Sequence, residues 1–303
     1  VELRHIRYFL AVAEEGSFTK AAARIGIGQP PLSLQIKDLE AEVGALLFHR
    51  VPHGAELTEA GRAFHDAVSG MPGQAALAMR AARRAARGET GALAFGCIGS
   101  GVINPLVSSA IRSFRRAYPD VGLRLEEASS GVLASGVRDG RLGAAILRPN
   151  PADARDLRLY VLAEDALMAA LPASHALAAD GGPVELSALA DETLLITPRE
   201  VGAGLYDTVA AACRAAGFEP HFDASPPQIA TLLSLVAAEF GVSVLPSSMR
   251  RFVVPGVEYR RLAGKPAPLA LSLAIRRDER SPIVRNFVAK ALAAARTEGR
   301  AAR

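Results

Sequence analysis

The sequence predicts a mostly helical winged helix-turn-helix at the N-terminal end, a long joining helix, and a two-lobed α/β region beyond it. Three observations carry this reading. Apolar residues recur at helical spacing in three short segments before Gly44, each closed by glycine. An apolar stripe then continues from Phe64 to Ala82 with no strand signal. From Ala92 onward, short apolar runs alternate with helical segments. The 303 residues exceed what one core holds, since single cores stop growing near roughly 250 to 300 residues, so several folding units are expected.

The first helix carries Leu3, Ile6, Phe9, Leu10 and Ala13 on one face and ends at Gly16. Ser17 suits the N-cap of a short second helix, with Ala21, Ala22 and Ile25 inward and Gly26 and Gly28 after it. Pro30 and Pro31 suit the first turn of a third helix, where a missing N–H costs nothing, and that helix runs to Gly44. Its apolar positions Leu32, Ile36, Leu39 and Val43 share a narrow arc, which turns Pro30, Ser33, Leu34 and Lys37 outward. A tight glycine turn between the second and third helices is the sequence form of a helix-turn-helix, whose last helix enters the DNA major groove. Leu47–Arg50 and Ala55–Leu57 read as two short strands around Pro52-His53-Gly54, a hairpin able to act as a wing. The plainer alternative for these helices is a small bundle with a solvated polar face.

Thr58 caps a fourth helix from Glu59 to about Arg87, with Phe64, Val68, Met71, Ala75, Ala78, Met79 and Ala82 on overlapping apolar faces that want a partner helix. Pro72-Gly73 predicts a kink or break there, and Arg80, Arg83, Arg84 and Arg87 read as a solvated basic end. Strands are then expected at Leu93–Ile98, Val121–Glu126, Ala144–Leu147, Leu159–Leu162, Ala166–Leu171, Leu194–Thr197 and near Phe222, then at Val242–Leu245, Val257–Leu262 and Leu269–Ile275. Helices are expected at Ile103–Arg116, Gly131–Gly140, Leu205–Ala216, Pro227–Phe240 and Val284–Ala295. Two small sheets fit this length better than one.

Composition excludes several classes. Half of the residues are hydrophobic and 22% are charged, so wholesale disorder is ruled out. The longest uncharged stretch, Thr90–Ile111, is interrupted by glycines, Asn104 and Pro105, so no membrane partner is expected. The opening Val1-Glu2-Leu3-Arg4-His5 carries charge where a signal peptide needs an apolar run, and two cysteines suit a reducing compartment, so the expectation is cytoplasmic. Thirty-five basic against 31 acidic residues give +4, yet residues 1–57 hold six basic and seven acidic groups, so net charge says little about nucleic acid.

In order along the chain, Phe9-Leu10-Ala11-Val12-Ala13, Gly16-Ser17-Phe18-Thr19-Lys20-Ala21-Ala22, Gln29-Pro30-Pro31-Leu32-Ser33, Ile36-Lys37-Asp38-Leu39-Glu40, Leu47-Phe48-His49-Arg50 and Leu57-Thr58-Glu59-Ala60-Gly61 form a dense pattern. On these residues the chain resembles the LysR-type transcriptional regulators, most densely over residues 1–65. The resemblance implies a winged helix-turn-helix (1–58), a linker and dimerisation helix (59–88), and a two-lobed effector domain of periplasmic-binding-protein type (89–303). Lobe I would hold about 89–162 and 266–303, and lobe II about 163–265. It implies double-stranded promoter DNA as partner, a small anionic effector, a dimer of dimers, and RNA polymerase as a further candidate partner. The DNA-contacting residues would be Ser17, Thr19, Gln29, Pro30, Pro31, Ser33, Leu34 and Lys37, with Arg50 and His53 serving the wing. Three departures stand out. Leu34 replaces a frequent Arg, which favours a thymine methyl over a charged contact; Gly28 replaces a frequent Ser; and Pro72-Gly73 interrupts the linker.

A cleft between two α/β lobes binds ligand where strand ends meet helix N-termini, whose free N–H groups favour anions. Gly99, Ser100, Ser129, Ser130 and Arg148 stand at such turns, and Thr197–Gly204 precede another helix. By the resemblance these positions hold small carboxylates, often intermediates of aromatic breakdown, with Arg199, Gly204 and Tyr206 facing them from the second lobe. The alternatives are ordinary helix caps for the serines and a surface ion pair for Arg148. A redox-responsive regulator using Cys97 and Cys213 is a rival, but two buried structural thiols fit better. His49 and His53 lack a carboxylate or cysteine partner, so no metal is expected. Gly96-Cys97-Ile98-Gly99-Ser100-Gly101 looks like a dinucleotide loop without its GxGxxG spacing, and GxxxxGK[ST] and GxSxG are absent, so neither cofactor nor enzyme activity is expected. A solute-binding protein for a transporter is the remaining alternative.

Overall fold

Glycine punctuation sets the first unit. Helices α1 (Leu3–Glu15) and α2 (Phe18–Ile25) end on left-handed Gly16 and Gly26, with φ of 59° and 80°, and α3 (Gln29–Val43) follows directly. The computed structural model describes residues 1–52, 54–150, 152–179, 181–223, 226, 228–264 and 267–301, with side chains only as far as 298. His53 of the expected wing, Pro227 at an expected helix start, and the expected lobe boundary at 265 and 266 therefore lie outside the described residues.

Phe9, Leu32, Ile36, Leu39 and Leu47 are fully buried between these helices. Phe9 packs edge-on to Phe64 at 5.0 Å and tilted on Phe48 at 5.2 Å. Leu3 and Val43, expected inward, are 40% and 38% exposed, because each stands at the end of its helix beyond the packed stripe. The hairpin of β1 (Phe48–Val51) and β2 (Gly54–Leu57) is antiparallel and pairs Phe48 with Leu57 and Val51 with Gly54. Glu40 on α3 anchors it by accepting bonds from the Leu47 and Phe48 N–H groups at 2.7 and 3.2 Å. Beside the hairpin turn, Ala55 N–H donates to the Gly16 carbonyl, and a Cβ on Gly54 would stand 2.2 Å from that oxygen, so only glycine fits.

The expected single helix after Thr58 is two, α4 (Glu59–Val68) and α5 (Met71–Ala86), and the break falls at Ser69–Gly70 rather than at Pro72-Gly73. Pro72 has no N–H for the Val68 carbonyl and its ring crowds that carbonyl, so the ladder fails one turn upstream of the proline. No side chain of α5 is buried, and Met71, Leu77 and Met79 are 43%, 59% and 52% exposed. The chain divides into two compact units, Val1–Arg84 and Ala85–Arg303.

The second unit contains two cores. Its first sheet has the order β4 (Val121–Glu127), β3 (Gly91–Cys97), β5 (Ala144–Leu147), β12 (Leu269–Arg276), β6 (Leu157–Asp165). β3 is parallel to β4 and β5, and β12 is antiparallel to β5 and β6. Short α6 (Gly99–Val102), α7 (Pro105–Ala117), α8 (Ser130–Arg138), short α9 (Asp153–Asp156) and the closing α13 (Pro282–Ala301) belong to this half. α7 starts two residues later than expected because Asn104 caps it, accepting from Leu106 N–H at 3.0 Å.

In the other half β7 (Leu167–Pro172) lies between β10 (Ser243–Pro246) and β11 (Val257–Arg261), antiparallel to both. β8 (Thr193–Leu195) is parallel to β9 (His221–Asp223), and a Leu194–Val242 bridge ties it to the segment entering β10. Short α10 (Ala176–Ala179), α11 (Arg199–Ala215) and α12 (Ile229–Ala237) complete this half. α11 begins six residues earlier than expected but breaks at Gly202 (φ −140°, ψ 54°), so the continuous helix starts after that glycine. The chain changes core twice: Leu162 belongs to the first and Leu167 to the second, Leu269 to the second and Leu271 to the first.

Candidate functional site

In the first unit the outward face of α3 presents exposed Gln29, Pro30, Pro31, Leu34 and Lys37, with Leu34 58% exposed. Thr19 is exposed on α2, while the half-buried Ser17 caps that helix by accepting from Lys20 N–H at 3.4 Å. Ser33, expected outward, is half-buried, and its Oγ is out of solvent with no hydrogen-bond partner. Its place next to buried Leu32 turns it toward the packed side. Arg50 on β1 is exposed and holds its guanidinium 5.3 Å over the Phe18 ring.

In the second unit a cavity of about 630 Å³ lies where strands of both halves end. Gly99 and Ser100 follow β3, Ser129 and Ser130 follow β4, and Arg148 follows β5 on one side. Thr197, Gly202 and Gly204 line the other. A Cβ on Gly204 would come within 3.2 Å of the Arg148 carbonyl, so glycine there lets the two walls approach. The break at Gly202 puts the start of the long helix on the cavity wall, and first-turn N–H groups of a helix have no partner inside it. Arg199 and Tyr206 stand apart. Arg199 precedes the break and pairs with exposed Asp207 at 2.7 and 3.0 Å, while the Tyr206 ring packs on Phe222 at 4.7 Å.

Ser129 caps α8, accepting from Val132 N–H, and Ser130 Oγ accepts from the Arg148 N–H at 3.3 Å. The Ser100 and Thr197 hydroxyls differ: each residue is 6% exposed, each lines the cavity, and neither has a hydrogen-bond partner among the described residues. Arg148 is 4% exposed, and its charge is matched within the fold. One Nη donates to Asp165 at 2.7 Å and the other to the Leu269 carbonyl at 3.1 Å, while Nε has no partner. Burial pushes the guanidinium below the usual arginine range, and Asp165 pulls it back up. Asp165 also accepts from Ser248 at 3.0 Å.

Sequence reasoning missed Asp165, Glu127 and Gln228. Glu127 and Gln228 line the cavity, and their positions at the end of β4 and directly before α12 were the available signal. Cys97 and Cys213 are free and belong to different cores. Burial pushes the two thiols up to about 12 and about 11, far from the range of reactive thiolates. Among the described residues there is no group of three or more metal-ligating side chains, and no helix is long and apolar enough to cross a membrane.

A winged helix-turn-helix joined to a two-lobed cleft defines a ligand-responsive, DNA-binding regulator. Residues 3–62 match the model for bacterial regulatory helix-turn-helix proteins of the lysR family, and residues 86–296 match the LysR substrate binding domain. The HTH-type transcriptional regulator BudR of Raoultella terrigena is 35% identical over 95% of this chain and 99% of its own. The full-length CbnR structure complexed with its target DNA superposes with a TM-score of 0.78 at 26% identity, covering 97% of this chain and all of that one. The BenM effector binding domain with its effector benzoate gives 0.60 at 25% identity, over 69% of this chain and 94% of that one. The chain belongs to the LysR family of transcriptional regulators. It has a DNA-binding and an effector-binding domain and is not an enzyme.

Proposed function

We propose that this regulator reads a promoter with the exposed face of α3 and changes transcription when a small carboxylate enters the cleft. The hydroxyls of Ser100 and Thr197, on opposite walls of the cavity and with no partner among the described residues, carry the reading, because they stay open to hydrogen-bond a ligand carboxylate. The helix start after Gly202 adds N–H groups suited to an anion. Benzoate, the effector of the related BenM domain, is itself a small carboxylate. Ser100, Ser130 and Gly204 form the ligand wall, with Ser129 and Gly99 shaping it and Arg148 fixing the junction behind it. On DNA, Gln29, Pro30, Pro31, Leu34 and Lys37 meet bases or phosphates, with Thr19 and Arg50 at the margins. The segment 59–88 joins subunits: a second copy covers Met71, Leu77 and Met79 of α5, pairing two reading heads for two half-sites.

A thermal-shift screen of small carboxylates on the full chain, with benzoate included, tests the effector reading. At a hundred times its dissociation constant a ligand stabilises the fold by about 2.7 kcal/mol, a readily measured shift. Ser100→Ala should weaken the same response several-fold. Failure of every carboxylate in the millimolar range would overturn the reading.

A further inference from the structure

We propose that the effector carries a protonated amine as well as a carboxylate, with Glu127 receiving the amine; the inference rests on the reading of the cleft as a carboxylate site. Two ionisable side chains line the cavity, Arg148 and Glu127. The positive one is already matched by Asp165 and by the Leu269 carbonyl. The negative one has no hydrogen bond and no ion pair among the described residues. The lining therefore presents one uncompensated negative charge, the wrong sign for a ligand whose only charge is a carboxylate.

Placement makes the charge usable. Glu127 closes β4, and a Cβ on Gly99 would stand 2.8 Å from its Oε1, so the carboxylate lies against the residue immediately before Ser100. A carboxylate acceptor and an unpartnered hydroxyl are thus side by side on one wall, with the Thr197 hydroxyl and the helix start after Gly202 on the other. An α-amino acid separates its ammonium and carboxylate by a single carbon, which suits donors and acceptors this closely set. The ammonium goes to Glu127, and the ligand carboxylate goes to the hydroxyls and free N–H groups. Each group then meets its opposite, and no like charges face one another.

The test uses the full chain and matched probes: each proteinogenic L-amino acid against the 2-hydroxy acid with the same side chain, read by thermal shift and calorimetry. At least one amino acid should bind roughly tenfold or more tighter than its hydroxy partner, as expected for a charge-assisted hydrogen bond. Glu127→Gln should abolish that preference, and Glu127→Lys should turn it toward dicarboxylates such as succinate. Glu127 is exposed, so both variants keep the fold, and their ligand-free melting curves check this. Hydroxy acids or benzoate binding as tightly as any amino acid, with no effect of Glu127→Gln, would overturn the proposal while leaving the carboxylate reading intact. Absence of binding by every probe would remove both.

Discussion

Arg148 shows how much one residue's role depends on a partner distant in the chain. Its position after β5 places it at the cavity, but its guanidinium serves Asp165 and Leu269, where the chain passes between the two cores. Asp165→Asn should leave an unmatched buried charge and destabilise the second unit by about 3–5 kcal/mol in urea unfolding, while joint replacement by Met and Leu should recover most of it. A cost below about 1 kcal/mol for Asp165→Asn would show that the pair is not buried in solution. Local signals at this scale were legible: Ser17 and Thr58 accept the N–H bonds that their residue types promise at helix starts. Asp165 was not, because pairing across 17 residues leaves no periodic trace. Arg199 was misplaced for a related reason, since a break at Gly202 cannot be read from helical spacing.

At the scale of elements, helices were readable wherever an apolar stripe met a cap or a left-handed glycine. The first wing strand is shifted by one residue, to Phe48–Val51, and the second extended by one, to Gly54, because pairing of Val51 with Gly54 adds a rung that hydrophobicity does not mark. The joining segment gave the clearest correction, with the break lying upstream of Pro72. Pro72→Ala returns an N–H to the Val68 carbonyl and should fuse α4 and α5 into one helix. Circular dichroism at 222 nm should then deepen, and an unchanged helical signal would show that Gly70 alone sets the break. Ser33 marks the limit of wheel arguments: a residue at the border of an arc is turned by its neighbours, and here its hydroxyl lost contact with solvent.

For the whole molecule, charge is the weak guide and placement the strong one. With six basic and seven acidic residues in positions 1–57, DNA affinity rests on few phosphate contacts per head. Lys37→Ala should therefore weaken operator binding evenly across sequences and reduce the slope of log affinity against log salt by about 0.9 per head, measured by fluorescence anisotropy. An unchanged slope would remove Lys37 from the phosphate contacts. The alternation of strands and helices made the two α/β halves legible, but the order of the first sheet was not: β12 pairs with strands more than a hundred residues earlier.

That return of β12 to the middle of the first sheet also orders events on the ribosome. Residues 1–84 and the nested second core have all their strands once β11 has emerged, whereas β5 and β6 wait with unpaired edges until Leu269–Arg276 are made. The half that opens the effector domain is the last to close, and until then its open strand edges are where a nascent chain would misassemble.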